Sequence, residues 1–173
     1  MSQIWKNEKV VPVTVIEVRP NTVLDFRTNE RDGYDAVRVK LGKTIREGRL
    51  RAAQETLKPG DEVTVDALKE GDVVQVSGNS KGRGFQGVVK RHGFHGGPKT
   101  HGQKNRLRAP GSIGSTAPQR VWRGRRMAGR MGNVKVTMRN LKVVGVDTAS
   151  HTIFLKGAVP GPIGGFLTLV AGK

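Results

Sequence analysis

Between Val73 and Val146 the chain contains no aspartate or glutamate, yet it carries sixteen lysines and arginines, the first at Lys81 and the last at Lys142. A segment purged of one sign of charge repels itself, at about 1 kcal/mol for each pair of cations 4 Å apart even in bulk water. The other fifteen basic residues face all fourteen acids, so the formal +17 divides into +16 for this window and +1 for the rest. A surface that serves only solubility interleaves both signs. A long one-signed window calls instead for a dense polyanion lying against it, and nucleic acid is the obvious partner.

That window also constrains where a core can form. Twelve of the twenty-four glycines fall between Gly82 and Gly132, a region with few apolar runs, in a chain only 35% apolar. The region therefore reads as an excursion from one domain built by its flanks. Absence of cysteine excludes disulfides, thiolate metal sites and thiol nucleophiles, and suits a reducing compartment. No apolar run approaches the roughly 20 residues of a membrane span, and Met1-Ser2-Gln3-Ile4-Trp5-Lys6 has no hydrophobic signal core. The expectation is a soluble, cytoplasmic protein with no membrane partner.

The flanks carry strand patterns. Val10 to Val18 is rich in β-branched residues, Tyr34 to Leu41 alternates polar and apolar, and Glu62 to Leu68 follows a Pro59-Gly60 turn. Val73 to Ser77, Val134 to Met138, Leu141 to Asp147, Thr152 to Leu155 and Phe166 to Val170 complete the set, separated by turn signals such as Asp147-Thr148-Ala149-Ser150 and Pro160-Gly161-Pro162. Short strands at this spacing predict a mainly β fold, a small barrel or sandwich. We place a six-to-eight-stranded β-barrel over residues 1–78 and 133–173, interrupted by a basic, glycine-rich extended loop over 79–132. A helix is expected only over Ile45 to Leu57, where Leu50, Ala53 and Leu57 have helical spacing. Loops as long as the insertion are uncommon in compact domains and usually functional. Its composition is that of a segment ordered on its partner.

Several motifs in and beside the basic window suggest specific chemistry. Gly82-Arg83-Gly84-Phe85-Gln86-Gly87 spells a G-x-G-x-x-G, but a dinucleotide site also needs a helix at that turn and an acid about 20 residues on. No helix is expected from Val88-Val89-Lys90-Arg91, which leads into more glycine, and no acid occurs before Asp147. Gly97 and Gly102 have P-loop spacing, but Gln103 stands where lysine is required. Neither motif predicts a cofactor or a small-molecule substrate. His92, His95 and His101 lie close in sequence, yet Arg91, Lys99 and Lys104 beside them oppose a bound cation, so no metal is expected. These imidazoles, with Phe94, suit base stacking or bonds to phosphate and sugar. His151 reads as a turn residue on the surface. Ser112 and Ser115 lack an identifiable base, so no catalytic residue is assigned and the chain is not read as an enzyme. Finally, Arg120, Arg123, Arg125, Arg126 and Arg130 put five guanidiniums in eleven residues, with Trp122 among them either tucked against the barrel or free to stack on a base.

The candidate RNA-contacting set is therefore Lys81, Arg83, Lys90, Arg91, His92, Phe94, His95, Lys99, His101, Lys104, Arg106, Arg108, Arg120, Trp122, Arg123, Arg125, Arg126, Arg130 and Lys135. A non-specific DNA-binding protein is the competing class.

Four runs carry a closer resemblance. Ser77-Gly78-Asn79-Ser80-Lys81-Gly82-Arg83-Gly84-Phe85-Gln86-Gly87-Val88-Val89-Lys90-Arg91, Pro110-Gly111-Ser112-Ile113-Gly114, Met127-Ala128-Gly129-Arg130-Met131-Gly132 and Lys156-Gly157-Ala158-Val159-Pro160-Gly161 are similar, in order and spacing, to the signature runs of bacterial-type large-subunit ribosomal protein three, the L-three family. The resemblance implies a translation-factor-like β-barrel on large-subunit rRNA, a long loop reaching toward the peptidyl transferase centre, a role in early subunit assembly, and the neighbours L-fourteen and L-nineteen. By position it makes Lys81 to Arg91 and Arg120 to Arg130 two rRNA-lined arms, and His92 to Leu107 the deep part of the loop. Three departures accompany it. Family members carry an opening strand ahead of the segment matching Ser2-Gln3-Ile4-Trp5, so either Met1 is an internal methionine chosen as the start or that strand is truly missing; Gly42 to Pro59 is shorter than the family's basic insertion, and Gly97 stands where some members carry a methylated glutamine.

Overall fold

Runs of β-branched residues closed by turn-forming residues become strands over most of the two flanks. The computed structural model describes residues 1–49 and 57–171. Strands β1 (Ser2–Lys6) and β2 (Lys9–Glu17) form a hairpin with Lys6 opposite Lys9. Its two-residue turn, Asn7-Glu8, has φ of 49° and 61°, the left-handed pair that matches strand twist. Then come β3 (Asn21–Arg27), the single turn α1 (Asn29–Asp32), β4 (Ala36–Leu41), β5 (Thr44–Arg49), β6 (Glu62–Val63) and β7 (Val73–Asn79). Beyond these lie β8 (Phe85–Gln86), α2 (Val88–His92), β9 (Gly129–Arg130), β10 (Lys135–Asp147), β11 (Thr152–Lys156) and β12 (Leu167–Ala171).

Among the described residues the strands make a six-stranded sheet, β1-β2-β11-β10-β7-β12, a four-stranded sheet, β5-β4-β3-β6, and the small pair β8-β9. The protein is mainly β, as its sequence predicts. Alternation fixes which faces are buried. In β11 Ile153 and Leu155 are fully buried while Thr152, Phe154 and Lys156 are not, and in β7 Val74 and Val76 are fully buried. Leu155 lies directly opposite the buried Val143 of β10, so each side chain is the other's packing partner.

The residues fall into two compact units. The first comprises Met1–Val76, Thr137–Val159 and Thr168–Lys173, the second Ser77–Val136 with Pro160–Leu167. Of the ten buried apolar residues among those described, nine belong to the first unit and Val88 to the second. Five acids of the first unit have a basic partner among the described residues. Arg38 pairs with Asp25 across β3 and β4, Arg27 with Asp32 and Glu47, Lys6 with Glu70, and Arg19 with Glu17. Bonds from Arg38 and Arg27 hold the Asp25 and Asp32 carboxyls below the usual carboxylate range. The Tyr34 hydroxyl, donating to Glu47 at 3.0 Å, is pushed up. Asp147 is held low by the Ser150 hydroxyl and the backbone N–H groups of Ser150 and Ala149, which it caps in the β10–β11 turn.

The structure corrects four expectations. Ile45 to Arg49 is strand β5, not helix, because its backbone pairs in register with β4 from Leu41–Thr44 to Ala36–Arg49; the remainder of the expected helix, 50–56, lies outside the described residues. Glu62 to Leu68 is not one strand: it turns into a 3-10 helix at Val65–Ala67, which buries Val65. The two strands expected across 134–147 are one, with the break reduced to Asn140 at φ 60° and a bulge between Val143 and Gly145. A helix, α2, does open after Gly87 of the G-x-G-x-x-G run. It spans five residues and no acid follows before Asp147, so the dinucleotide reading still fails.

Leu155→Ala removes a fully buried side chain from the larger core and is expected to lower the free energy of unfolding by about 2–5 kcal/mol. Denaturant unfolding of the full chain measures it, with the exposed Val15→Ala as the variant that should leave stability nearly unchanged.

Candidate nucleic-acid interface

With one buried apolar residue, the second unit cannot be held by a core. It is held by its backbone. At its base the Ser80 N–H donates to Val134 O at 2.9 Å and the Asn133 N–H to Ser80 O at 3.2 Å. One step further the Arg83 N–H donates to Met131 O and the Met131 N–H to Gly84 O, both at 2.9 Å, and β8 pairs with β9 beyond them. The arms are so close that a Cβ on Gly132, at φ 76°, would overlap Lys81 O. Pro160–Leu167 packs against the same base, where a Cβ on Gly161 would sit 2.8 Å from Asn79 O. At Gly132, and at Gly96 against Leu107 O, the close neighbour is the protein's own chain.

Farther out, α2 is tied to the returning arm. Arg91 Nη1 donates to Met127 O at 2.6 Å, and His92 Nε2 donates to the same carbonyl at 3.0 Å. A carbonyl can only accept, so that contact requires the proton on Nε2. Gly93, at φ 71°, ends the helix by donating to Val88 O and Val89 O. Phe94 follows, its ring tilted 44° to that of His92 with centroids 5.9 Å apart. The outermost loop closes where the Gly97 N–H donates to Leu107 O at 2.9 Å.

On this frame the candidate side chains separate into groups. Lys81, Arg83, Arg130 and Lys135 flank the paired arms, while Lys99, His101, Lys104, Arg106 and Arg108 crowd the outer loop with His95, and all of these are exposed. Arg91, His92 and Phe94 are half-buried and bind the unit together. Lys90 and Arg123 are exposed, and Trp122 is 63% exposed with the Arg120 guanidinium 5.8 Å from its ring centre. Trp122 is thus covered by a cation and not tucked away. Arg125 donates to Ser112 O, and Arg126 lies beside it on the surface. Among the described residues every ion pair belongs to the flanks and none involves a cation of the acid-free window. The reading missed Phe85, 78% exposed and opposite Arg130; an aromatic residue set between glycines in a basic run was the available signal.

Two comparisons bear on this arrangement. The family model for ribosomal protein L3 matches residues 33–170. The chain belongs to the ribosomal protein L3 family. Among curated relatives, the large ribosomal subunit protein uL3 of Herpetosiphon aurantiacus is 48% identical over 191 residues, covering 96% of this chain and 90% of the relative. Those of Chloroherpeton thalassium and Streptomyces coelicolor are 45% and 44% identical, covering 97% and 96% of this chain and 92% and 89% of theirs. As an L3-family member the chain is a structural protein of the large ribosomal subunit and not an enzyme. The 191 aligned positions exceed its 173 residues, so the relative has residues without a counterpart here.

The arms of this chain depend on glycine where they touch. Gly132→Ala combines a left-handed φ with overlap onto Lys81 O, whereas Gly87→Ala has an ordinary φ of −69° and open space. Amide hydrogen exchange of Arg83 and Met131, whose N–H groups clasp the arms, should accelerate roughly ten- to hundredfold in Gly132→Ala and stay unchanged in Gly87→Ala.

Proposed function

We propose that the second unit is the rRNA-binding element of this protein, its two arms lying along phosphates and its outer loop directed toward the peptidyl transferase centre. The observation that carries the reading is the one-signed window: sixteen cations, nearly all exposed, with no carboxylate partner among the described residues. Such a surface is electrostatically incomplete until phosphates neutralise it, and the release of condensed counterions on binding drives association. Guanidiniums match phosphate oxygens in a two-pronged fork, which suits the Arg120 to Arg130 arm to backbone contact. Phosphate contacts position a protein without reading sequence, so specificity falls to the aromatic and histidine side chains of the loop and to the folded shape of the RNA.

In this reading the protein acts in early subunit assembly by pinning rRNA segments together, and it contributes no chemistry. The first unit, near neutral and internally paired, is the anchor that faces neighbouring proteins, L-fourteen and L-nineteen among them. The insertion takes its final shape as it meets RNA.

A direct test exploits the closeness of Ser80 and Val134, whose backbone bond lets a short turn replace Gly82 to Gly132. The shortened chain should keep a β-type circular dichroism spectrum and a cooperative melt, and lose affinity for large-subunit rRNA by about two orders of magnitude or more at physiological salt. Undiminished rRNA binding would assign the role elsewhere. The intact chain should co-sediment with large subunits at moderate salt; equal affinity for duplex DNA with no co-sedimentation would favour a general DNA-binding protein.

A further inference from the structure

The second unit contains a recess of about 270 Å³ lined by Phe94, Gly124, Arg125 and Arg126. We propose that it seats one unpaired purine of the RNA, stacked on Phe94 and held at its edge by the two arginines; the proposal rests on the rRNA-binding reading above.

The walls come from chain segments some thirty residues apart, and they are fixed to each other. Phe94 is set by the α2 terminus, with its N–H bonded to Val88 O and its ring against His92. The facing wall is a turn closed by the Arg125 N–H on Trp122 O at 3.3 Å. The bonds from Arg91 and His92 to Met127 O, one residue beyond Arg126, lock the first wall to the second. At Gly124 φ is 82° and a Cβ would meet nothing within 4 Å, so the floor stays open without a side chain to fill it.

The chemistry of the lining selects the occupant. The recess is smaller than the roughly 300–1,000 Å³ of pockets that enclose whole ligands, which favours one ring system over a nucleotide cofactor. One wall is an aromatic face and the other carries planar cations, the pairing on which unstacked bases settle. The lining side chains offer hydrogen-bond donors and no acceptor, because guanidinium only donates. Arg125 is already oriented by its bond to Ser112 O, with further N–H groups to spare. Donors alone complement a base edge rich in acceptors, and the O6 and N7 atoms of guanine present two side by side.

Nucleotide-resolution chemical probing of rRNA in large subunits, assembled with the full-length chain or its variants, tests this. In Phe94→Ala subunits one purine should become at least about fivefold more reactive, while Phe94→Tyr keeps it protected and protein occupancy is unchanged. Should Phe94→Ala fail to enter subunits, Arg126→Gln on the surface gives the same readout. Full occupancy with a probing pattern identical to wild type, or newly reactive pyrimidines only, overturns the proposal and leaves the rRNA-binding reading intact. If the wild-type chain itself protects no rRNA, that reading fails instead.

Discussion

Mutual repulsion among sixteen cations that have no carboxylate partner among the described residues is the constraint on which the rest of the structure depends. Each pair costs little in water, but the cost accumulates and no carboxylate in the segment relieves it. The larger unit shows the contrast: Asp25, Asp32, Glu17, Glu47 and Glu70 each have a basic partner nearby, so little charge there seeks an external one. Such exposed pairs add modestly to stability. The near-equal numbers of acids and bases in the larger unit, and not their pairing, concentrate the protein's field in the acid-free window.

A segment that cannot collapse on an apolar core must be shaped in another way. Here paired arms, one short helix and a set of backbone bonds serve as the frame, and glycine is what lets the strands of that frame approach. Side-chain to carbonyl bonds at Met127 O do the remaining work of fixing α2 against the returning arm. Because these bonds use main-chain carbonyls, they leave most guanidiniums facing outward. The same arrangement explains how the chain can carry a long basic insertion without a second hydrophobic core.

Much of the larger unit was legible because burial imposes a period of two. The alternations at Val73 to Ser77 and Thr152 to Leu155 mark strands whose Val74, Val76, Ile153 and Leu155 form the core. What failed were segments decided by pairing. Thr44 to Arg49 is charged and exposed, and only its register against β4 makes it a strand, while the spacing of Leu50, Ala53 and Leu57 suggested otherwise. Ser2 to Lys6, largely exposed, was missed for the same reason; Asn21 to Arg27 buries Val23 but its polar residues break the apolar pattern, and α2 is too short for periodicity to show. In the interface, charge was legible because composition alone carries it. The meeting of Phe94 with Arg125 and Arg126 was not, since it depends on tertiary bonds to a carbonyl that sequence does not advertise.

The central claim is that the cations of the acid-free window, fourteen of the sixteen in the second unit, are phosphate contacts. Its most direct test is the affinity of the full-length chain for a large-subunit rRNA fragment across a series of salt concentrations. If about eight of the sixteen cations meet phosphates, the logarithm of the binding constant should fall against the logarithm of salt with a slope near −6 to −7, at roughly 0.7–0.9 per contact. A slope of about −1 or shallower, with affinity retained at high salt, would contradict the account.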